Sequence, residues 1–219
     1  MFHSQCNQDQ FLEEHIFKGM RNGVFMDIGA HDGVSLNNTL YFETTNGWRG
    51  INVEPLPNVY DKLVENRPHS INICCAVSNH NGTAQFICNT GYTEMLSGLK
   101  DAYHPKHLER LHHENQTMGG TTQYMDVQTR TVESICDEHH MTHIHYMSID
   151  VEGAEFEVIK SINFDKVFVD VIEFENNYTD ASEVIVKYLE DIGYVVVHVS
   201  LDIFMLHKRS EFYTHLFHP

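Results

Sequence analysis

The chain has 219 residues, 42% of them hydrophobic, which is enough for one well-buried domain, and we predict a single domain spanning residues 1–219. With 14 basic and 31 acidic residues, its formal net charge is −17, which opposes binding to the phosphate backbone of bulk nucleic acid. No apolar run approaches the roughly 18 to 20 residues of a membrane span, and no signal-peptide pattern opens the chain, so a cytoplasmic location is expected. Five cysteines without zinc-site spacing favour a reducing compartment.

Apolar residues recur with helical or strand spacing along most of the chain. Proline is tolerated at the first helical position, so Pro57 predicts a helix start, and Thr131 is a candidate N-cap. Asn81-Gly82 predicts a tight turn that joins 70–77 to 83–87 as a hairpin. The predicted helices cover 8–18 (within an N-terminal helical segment, 1–22), a stretch around 40–42, 57–66, 131–140, 154–161 and 181–191. The predicted strands cover 24–28, 50–54, 70–77, 83–87, 122–129, 143–150, 167–173, 194–199 and 203–207.

The segment 89–123 lacks regular periodicity. A loop this long in a compact domain is usually functional, so we predict an inserted loop that forms a substrate region, followed by an edge strand over 122–129. Elsewhere strands alternate with helices, which predicts an α/β fold with a mostly parallel sheet and helices on both faces. The short turn at Leu201-Asp202 joins only antiparallel neighbours, so the C-terminal strand is expected to be antiparallel.

Carboxylates occur where three of the predicted strands end. Asp27 and Glu54 close the first two apolar runs, and Asp150 closes a later one. Ligands of open α/β sheets bind outside the carboxyl ends of the strands, so these acids are expected to ring one cleft. Glu54 follows the glycine turn by about 20 residues, the spacing at which an acid accepts hydrogen bonds from ribose hydroxyls.

The glycine turn discriminates between two kinds of nucleotide cofactor. Its residues Gly29, Ala30 and Gly33 lack the middle glycine of a dinucleotide-binding turn. Asp27 beside the turn would repel a pyrophosphate but attract the ammonium and sulfonium groups of S-adenosylmethionine. These features favour S-adenosylmethionine over an NAD-type cofactor.

Several ordered motifs resemble those of the FkbM-type S-adenosylmethionine-dependent methyltransferases, over nearly the whole chain. The resemblance implies a Rossmann-like, seven-stranded sheet and O-methylation of natural products, sugars or lipids. Many members of that family carry a lysine just before the aspartate of the fourth strand, where this chain has Ser148-Ile149, so no role of that lysine is carried over. The motifs occupy residues 4–9, 25–33, 47–50, 53–55, 76–78, 95–98, 148–155 and 172–174.

The resemblance also implies which residues hold the cofactor. An N-terminal segment containing Gln5, Gln8 and Asp9 is expected to close over it. The expected cofactor-binding residues are Gln5, Gln8, Asp9, Asp27, Gly29, Ala30, Asp32, Gly33, Glu54, Pro55, Ala76, Val77 and Asp150.

Methyl transfer to a hydroxyl needs alignment and a base that takes the proton. We predict Asp150 and Glu173 for this chemistry, because their strands end beside each other, with Glu152 and His31 as further candidates. Two such carboxylates alternatively hold a divalent cation such as magnesium, although the base without a metal is favoured.

The 17 histidines suggest metal or acceptor binding at two places. His143 and His145 are two residues apart on a strand and face the same way, but no cysteine or acid at suitable spacing completes a zinc set, so ordinary surface histidines are favoured. In the middle segment, Ser97, His104 and Arg110 are candidate acceptor-binding residues, with a solvated insertion as an equal alternative.

We therefore predict an S-adenosylmethionine-dependent O-methyltransferase that acts on a hydroxyl of a sugar, glycan or other small molecule. Two alternatives remain: an NAD-type oxidoreductase of similar architecture, and an inert cofactor-binding module. The fold does not identify the methyl acceptor. The sequence also does not determine whether the chain forms a homo-oligomer.

Overall fold

The computed structural model describes residues 1–217, with side chains through residue 216; the last two residues of the predicted domain lie outside this part. The helices are α1 (Gln8–Phe11, continued by a π-helix over Leu12–Phe17), α2 (Leu40–Asn46), α3 (Pro57–Asn66), α4 (Pro105–Glu114), α5 (Val132–Glu138), α6 (Glu155–Lys160), α7 (Thr179–Asp191) and α8 (Glu211–Phe217). The strands are β1 (Val24–Ile28), β2 (Arg49–Val53), β3 (Ile71–Ile73), β4 (Ala76–Val77), β5 (Gly82–Gly91), β6 (Gly98–Leu99), β7 (Gly120–Arg130), β8 (His143–Ile149), β9 (Phe168–Glu175), β10 (Tyr194–Val199) and β11 (Asp202–His207).

The larger sheet has seven strands in the order β10-β11-β9-β8-β1-β2-β3. Strands β3, β2, β1, β8 and β9 are parallel, whereas β11 is antiparallel to both β9 and β10. The order reverses beside β1, and a ligand crevice is expected at such a switch point. The predicted mostly parallel sheet with an antiparallel C-terminal strand is confirmed.

Apolar side chains alternate between the two faces of the central strands, as a sheet covered on both sides requires. Met147 and Ile172 join one buried cluster, whereas Tyr146 and Val171 join another on the opposite face. The second cluster also holds Trp48, which is 1% exposed and donates its indole N–H to the carbonyl of Met20 at 2.9 Å. The core therefore lies on both faces of the seven-stranded sheet.

The smaller sheet has the order β4-β7-β5-β6 and corrects three predictions. The hairpin predicted at Asn81-Gly82 is wrong, because β7 lies between β4 and β5 and pairs with both. For the same reason, the strand predicted over 122–129 is not an edge strand. The segment 89–123 is not a structureless loop: it contains α4 and the paired ends of β5 and β7. The pairing of β5 with β7 spans this segment, and local sequence patterns carry no signal for it.

Two local predictions about helix starts are confirmed. Pro57 is the first residue of α3, and the Thr131 hydroxyl accepts a hydrogen bond from the Ser134 amide at 3.0 Å, capping α5. None of the helices in residues 1–217 is long and apolar enough to cross a membrane.

Candidate functional site

A cavity of about 580 Å³ opens at the carboxyl ends of β8, β1 and β2. Its wall includes the three strand-end acids Asp27, Glu54 and Asp150, so the expectation that they ring one cleft is met in the geometry. The catalytic candidate Glu152 also lies on the wall. The other wall residues that were expected to bind cofactor or acceptor are Gln5, Gln8, Gly29, Ala30, Pro55, Ala76, Val77, Ser97 and Arg110.

Gly29 makes the tight turn at the end of β1, and the space around it explains the glycine. Its φ is +89°, and a Cβ atom there would lie 1.7 Å from the carbonyl oxygen of Asp150. The Gly29 and Ala30 amides both donate to the carbonyl of Val53, at 3.0 and 3.1 Å. The turn thus ties the ends of three neighbouring strands together at the floor of the cavity.

Asp27 is 3% exposed and is held by side chains from the segment that follows the glycine turn. Its Oδ2 accepts hydrogen bonds from Thr39 Oγ1 at 2.7 Å and Asn37 Nδ2 at 2.9 Å. Burial raises the pKa of Asp27. The nearby Arg67 guanidinium and these two hydrogen bonds favour the ionised form and reduce the rise. The carboxylate therefore orders the turn as well as facing the cavity.

Arg67 anchors this network from α3 and is fully buried. It donates to Glu43 at 2.7 Å, to the Asn37 amide oxygen at 3.0 Å and to Thr39 Oγ1 at 3.1 Å. It also donates to the carbonyl of Gly33, where a Cβ atom would lie 2.6 Å from the Arg67 chain. Gly33 therefore makes room for an arginine instead of lining the cavity.

Glu54 is 6% exposed and accepts a hydrogen bond from the Leu56 amide at 2.9 Å. Burial raises the pKa of Glu54 to about 7, and the carboxylates of Glu94 and Asp27 add to the rise. A ligand that brings hydroxyl donors or positive charge would favour its ionised form.

Asp150 has Glu175, and not Glu173, as its neighbour in the cavity. The register of β8 and β9 pairs Ser148 with Glu173 and Ile149 with Phe174, so the position beside Asp150 lies beyond Glu173. Oxygens of Asp150, Glu152 and Glu175 all lie within 4.8 Å of one another. Desolvation by the surrounding protein, with repulsion from Asp202 and Glu155, raises the pKa of Asp150 to about 7.

Glu173 is not among the residues that line the cavity, which corrects its predicted catalytic role. It is 2% exposed, and its carboxylate accepts a hydrogen bond from the Tyr146 hydroxyl. Burial raises the pKa of Glu173 well above its ordinary value. The alternative metal pair of Asp150 with Glu173 is accordingly not formed.

The N-terminal segment forms one wall of the cavity through Gln5 and Gln8. Gln8 donates its side-chain amide to Asp202 Oδ2 at 2.6 Å, across the cavity rim from β11. Asp9 is fully buried and does not line the cavity; it accepts from the His3 amide and the Ser4 hydroxyl, each at 2.6 Å. Asp9 thus shapes the segment, and the glutamines face the cavity.

Segment 89–123 forms a further part of the wall. Ser97 and Arg110 lie on it, with the Arg110 guanidinium donating to Glu114 at 2.8 Å. His104 does not line the cavity: its ring stacks on Tyr178 with centroids 4.2 Å apart. Asp32 is also outside the wall, because it accepts the amides of two residues in its own turn, Val34 and Ser35.

Several other polar lining residues lie outside the motifs that the sequence predicted, whereas His31 lies within one. His31 was a candidate base, and both of its ring nitrogens lack a hydrogen-bond partner. The rest come from turns, strand ends and helix ends, whose positions depend on tertiary packing. The lining polar residues without a sequence prediction include Asn37, Asn38, Glu94, Glu114, Glu175, Asn177 and Asp202.

The predicted histidine pair lies at the opposite ends of the strands. The rings of His143 and His145 contact each other at a tilt with centroids 4.3 Å apart, and His143 Nε2 lies 2.6 Å from Asp170 of β9. An acid therefore does lie beside the two histidines, contrary to the sequence expectation. Spacing along the chain could not reveal it, because Asp170 belongs to the adjacent strand. The Val24 amide donates to His145 Nδ1 at 3.0 Å, which occupies that nitrogen's lone pair.

A family model for the methyltransferase FkbM domain matches residues 27–196. The chain belongs to the FkbM methyltransferase family. The match spans β1 to β10 and thus includes all three strand-end acids. Family membership implies S-adenosylmethionine as the methyl donor.

The fold is also similar to that of a solved structure of an FkbM methyltransferase. It is similar to the FkbM methyltransferase of Methylobacillus flagellatus KT, with a TM-score of 0.52, 14% identity, and coverage of 85% of this chain and 43% of that one. It also resembles the METTL16 methyltransferase domain, with a TM-score of 0.49, 12% identity, and coverage of 91% and 65%. The chain thus spans less than two thirds of either structure. No curated protein sequence matches it.

Proposed function

We propose that this methyltransferase transfers a methyl group from S-adenosylmethionine to a hydroxyl of a sugar, glycan or other small molecule. The observation that carries the proposal is that Asp27, Glu54 and Asp150, from three adjacent parallel strands, line one cavity. A cavity of this volume lies in the range of ligand pockets, and its carboxylates match a donor that carries ammonium, sulfonium and ribose hydroxyl groups.

Glu54 and Asp27 each have a counterpart among the groups of S-adenosylmethionine. In this proposal, Glu54, which directly follows β2, accepts hydrogen bonds from the ribose hydroxyls. Asp27 supplies negative charge for the methionine portion, and Ala76 and Val77 of β4 supply an apolar surface. Gln5 and Gln8 close the cavity from the N-terminal side.

The protein's contribution to the chemistry is alignment and proton removal. When bound, S-adenosylmethionine supplies an electrophilic methyl carbon: the carbon–sulfur bond breaks, its electron pair stays on sulfur, and a carbon–oxygen bond forms. Asp150 lines the cavity and has a pKa of about 7, which suits a base that accepts the hydroxyl proton near neutral pH. Holding the acceptor in line contributes up to about 7 to 11 kcal/mol.

Calorimetric titration with S-adenosylhomocysteine and with NAD tests the cofactor. We expect saturable binding of S-adenosylhomocysteine that is weakened at least tenfold in Glu54→Gln, with no binding of NAD. The exposed acid Glu65 on α3 provides a matched control, Glu65→Gln, which should bind like the unmodified protein. Binding of NAD alone would favour the oxidoreductase.

Methyl transfer itself is tested with radiolabelled S-adenosylmethionine and a panel of sugars and polyols. Activity that survives chelation and dialysis supports a base without a metal, whereas loss restored by magnesium supports the divalent-cation alternative. Cofactor binding without transfer to any acceptor would favour the inert binding module.

A further inference from the structure

The cavity wall carries a large excess of negative charge. Among the described residues it includes eight carboxylates but only one lysine or arginine, Arg110. That guanidinium is already paired with Glu114 at 2.8 Å. S-adenosylmethionine brings a single net positive charge, so most of this acidic excess remains when the donor is bound. Burial and repulsion between neighbouring carboxylates raise the pKa of Asp150, Glu152 and Glu175, so these acids favour protonation until a further positive group stabilises their charged forms.

The excess is concentrated where oxygens of Asp150, Glu152 and Glu175 lie within 4.8 Å of one another. Three oxygens that each accept a hydrogen bond of about 2.8 Å from one ammonium are about 4.6 Å apart, which this cluster accommodates. Nearby carboxylates without a cation repel one another or take up protons, and a positive ligand stabilises their ionised forms.

Glu152 provides an independent sign that a ligand belongs here. It is 8% exposed, it lines the cavity, and its Oε2 has no hydrogen-bond partner. Leaving a buried carboxylate oxygen unpaired is costly. His107 Nδ1 lies 3.5 Å from this oxygen, but burial lowers the pKa of His107, so it is neutral at pH 7 and does not balance the charge.

We propose that Asp150, Glu152 and Glu175 bind an ammonium group on the methyl acceptor, so that the preferred acceptors are amine-bearing molecules such as amino sugars or amino alcohols. This inference rests on the proposed function and narrows its substrate class. Neutral glycans would be weaker acceptors, and phosphorylated or carboxylated ones would be repelled. Mg²⁺ is the competing occupant; it prefers to keep several waters and one or two carboxylates, whereas this cluster offers three.

The experiment uses the protein loaded with S-adenosylhomocysteine, at pH 7.5, and three pairs of probes that differ by an amine. The pairs are glucosamine and glucose, ethanolamine and ethylene glycol, and tyramine and 4-ethylphenol, each titrated to 20 mM and followed by calorimetry or ligand-observed NMR. We expect the amine of at least one pair to bind at least tenfold more tightly than its neutral twin. Glu175→Gln should remove this preference, and Glu65→Gln should keep it.

Equal binding within every pair, or no binding of any amine, would overturn the proposal. A parallel titration with Mn²⁺ separates the two sources of positive charge: tight 1:1 binding that is lost in Glu175→Gln assigns the cluster to a metal and also overturns it. Retained binding of S-adenosylhomocysteine in each sample shows that such a failure concerns the acceptor and leaves the proposed function standing.

Discussion

Asp150 and Glu175 present carboxylate oxygens within 4.8 Å of each other, although they lie at the ends of different strands and are separated by α6 in the chain. Their proximity follows from the parallel register of β8 and β9, which places Glu173 beside Ser148. Two glutamates only two residues apart thus have different surroundings: Glu175 lines the cavity, and Glu173 is buried against Tyr146.

Replacing each of these two glutamates separately by glutamine should show which of them is needed for methyl transfer and whether either is needed for stability. Glu173→Gln keeps an acceptor for the Tyr146 hydroxyl and replaces an acid whose pKa burial already raises, so its free energy of unfolding should change by less than about 1 kcal/mol. Glu175→Gln should fold equally well but lose methyl transfer at least tenfold. Urea denaturation and a transfer assay measure both. Loss of transfer in Glu173→Gln alone would contradict this assignment.

Gly29→Ala should be severely destabilising, because the new Cβ would lie 1.7 Å from the Asp150 carbonyl oxygen in addition to the strain of a φ of +89°. We expect a loss above about 3 kcal/mol, from backbone displacement added to a conformational cost of about 1 to 3 kcal/mol. Gly19→Ala is the matched control, since its φ is +84° with no atom within 4 Å of the Cβ. Thermal unfolding compares the two variants. Equal losses of stability would mean that backbone strain alone, and not the clash with Asp150, destabilises Gly29→Ala.

Glu54 should make the protein less stable as the pH rises. Its folded pKa of about 7 lies above its ordinary value, because burial disfavours the charged form. The native state therefore holds a proton that the unfolded state has released, and the associated stability is full below about pH 4.5 and lost as the pH rises through 7. Urea denaturation between pH 5 and 8 should show this decline, with a smaller slope in Glu54→Gln. An unchanged slope in the variant would assign the trend to other groups.

Arg67→Met should lower the free energy of unfolding by about 3 to 5 kcal/mol, because it leaves buried acceptors and the partly buried Glu43 without their cation. Binding of S-adenosylhomocysteine should weaken as well, since the Asn37 and Thr39 contacts that hold Asp27 lose their anchor. Combining the change with Glu43→Gln should recover part of the stability. A double variant no more stable than Arg67→Met would show that the Glu43 charge is not the cause.

Gln5→Ala and Asp9→Ala should both weaken binding of S-adenosylhomocysteine while leaving the fold intact, for different reasons. Gln5 lines the cavity directly, whereas Asp9 holds the backbone of the segment through His3 and Ser4. We expect several-fold weaker binding in each by calorimetry, with circular dichroism unchanged. Unaltered affinity in both variants would mean that the segment does not contact the cofactor.

The sequence predicts the elements of the larger sheet well because each is encoded locally, by an apolar run, a helix-starting proline or a capping threonine. The smaller sheet is predicted poorly, since β4 and β5 are close in the chain but are separated in space by β7. Strand-end acids such as Asp27 and Glu54 are predictable because strand direction alone places them. Glu175 and Asp170 are not, because register decides which residue of one strand lies beside a given residue of the next.

The hydrogen bond between Gln8 and Asp202 joins groups that are 194 positions apart in the chain. Both residues line the cavity, so the first helix and the last hairpin share one part of its wall. A change that loosens the docking of α1 on β11 therefore alters the surface of the crevice without touching the glycine turn.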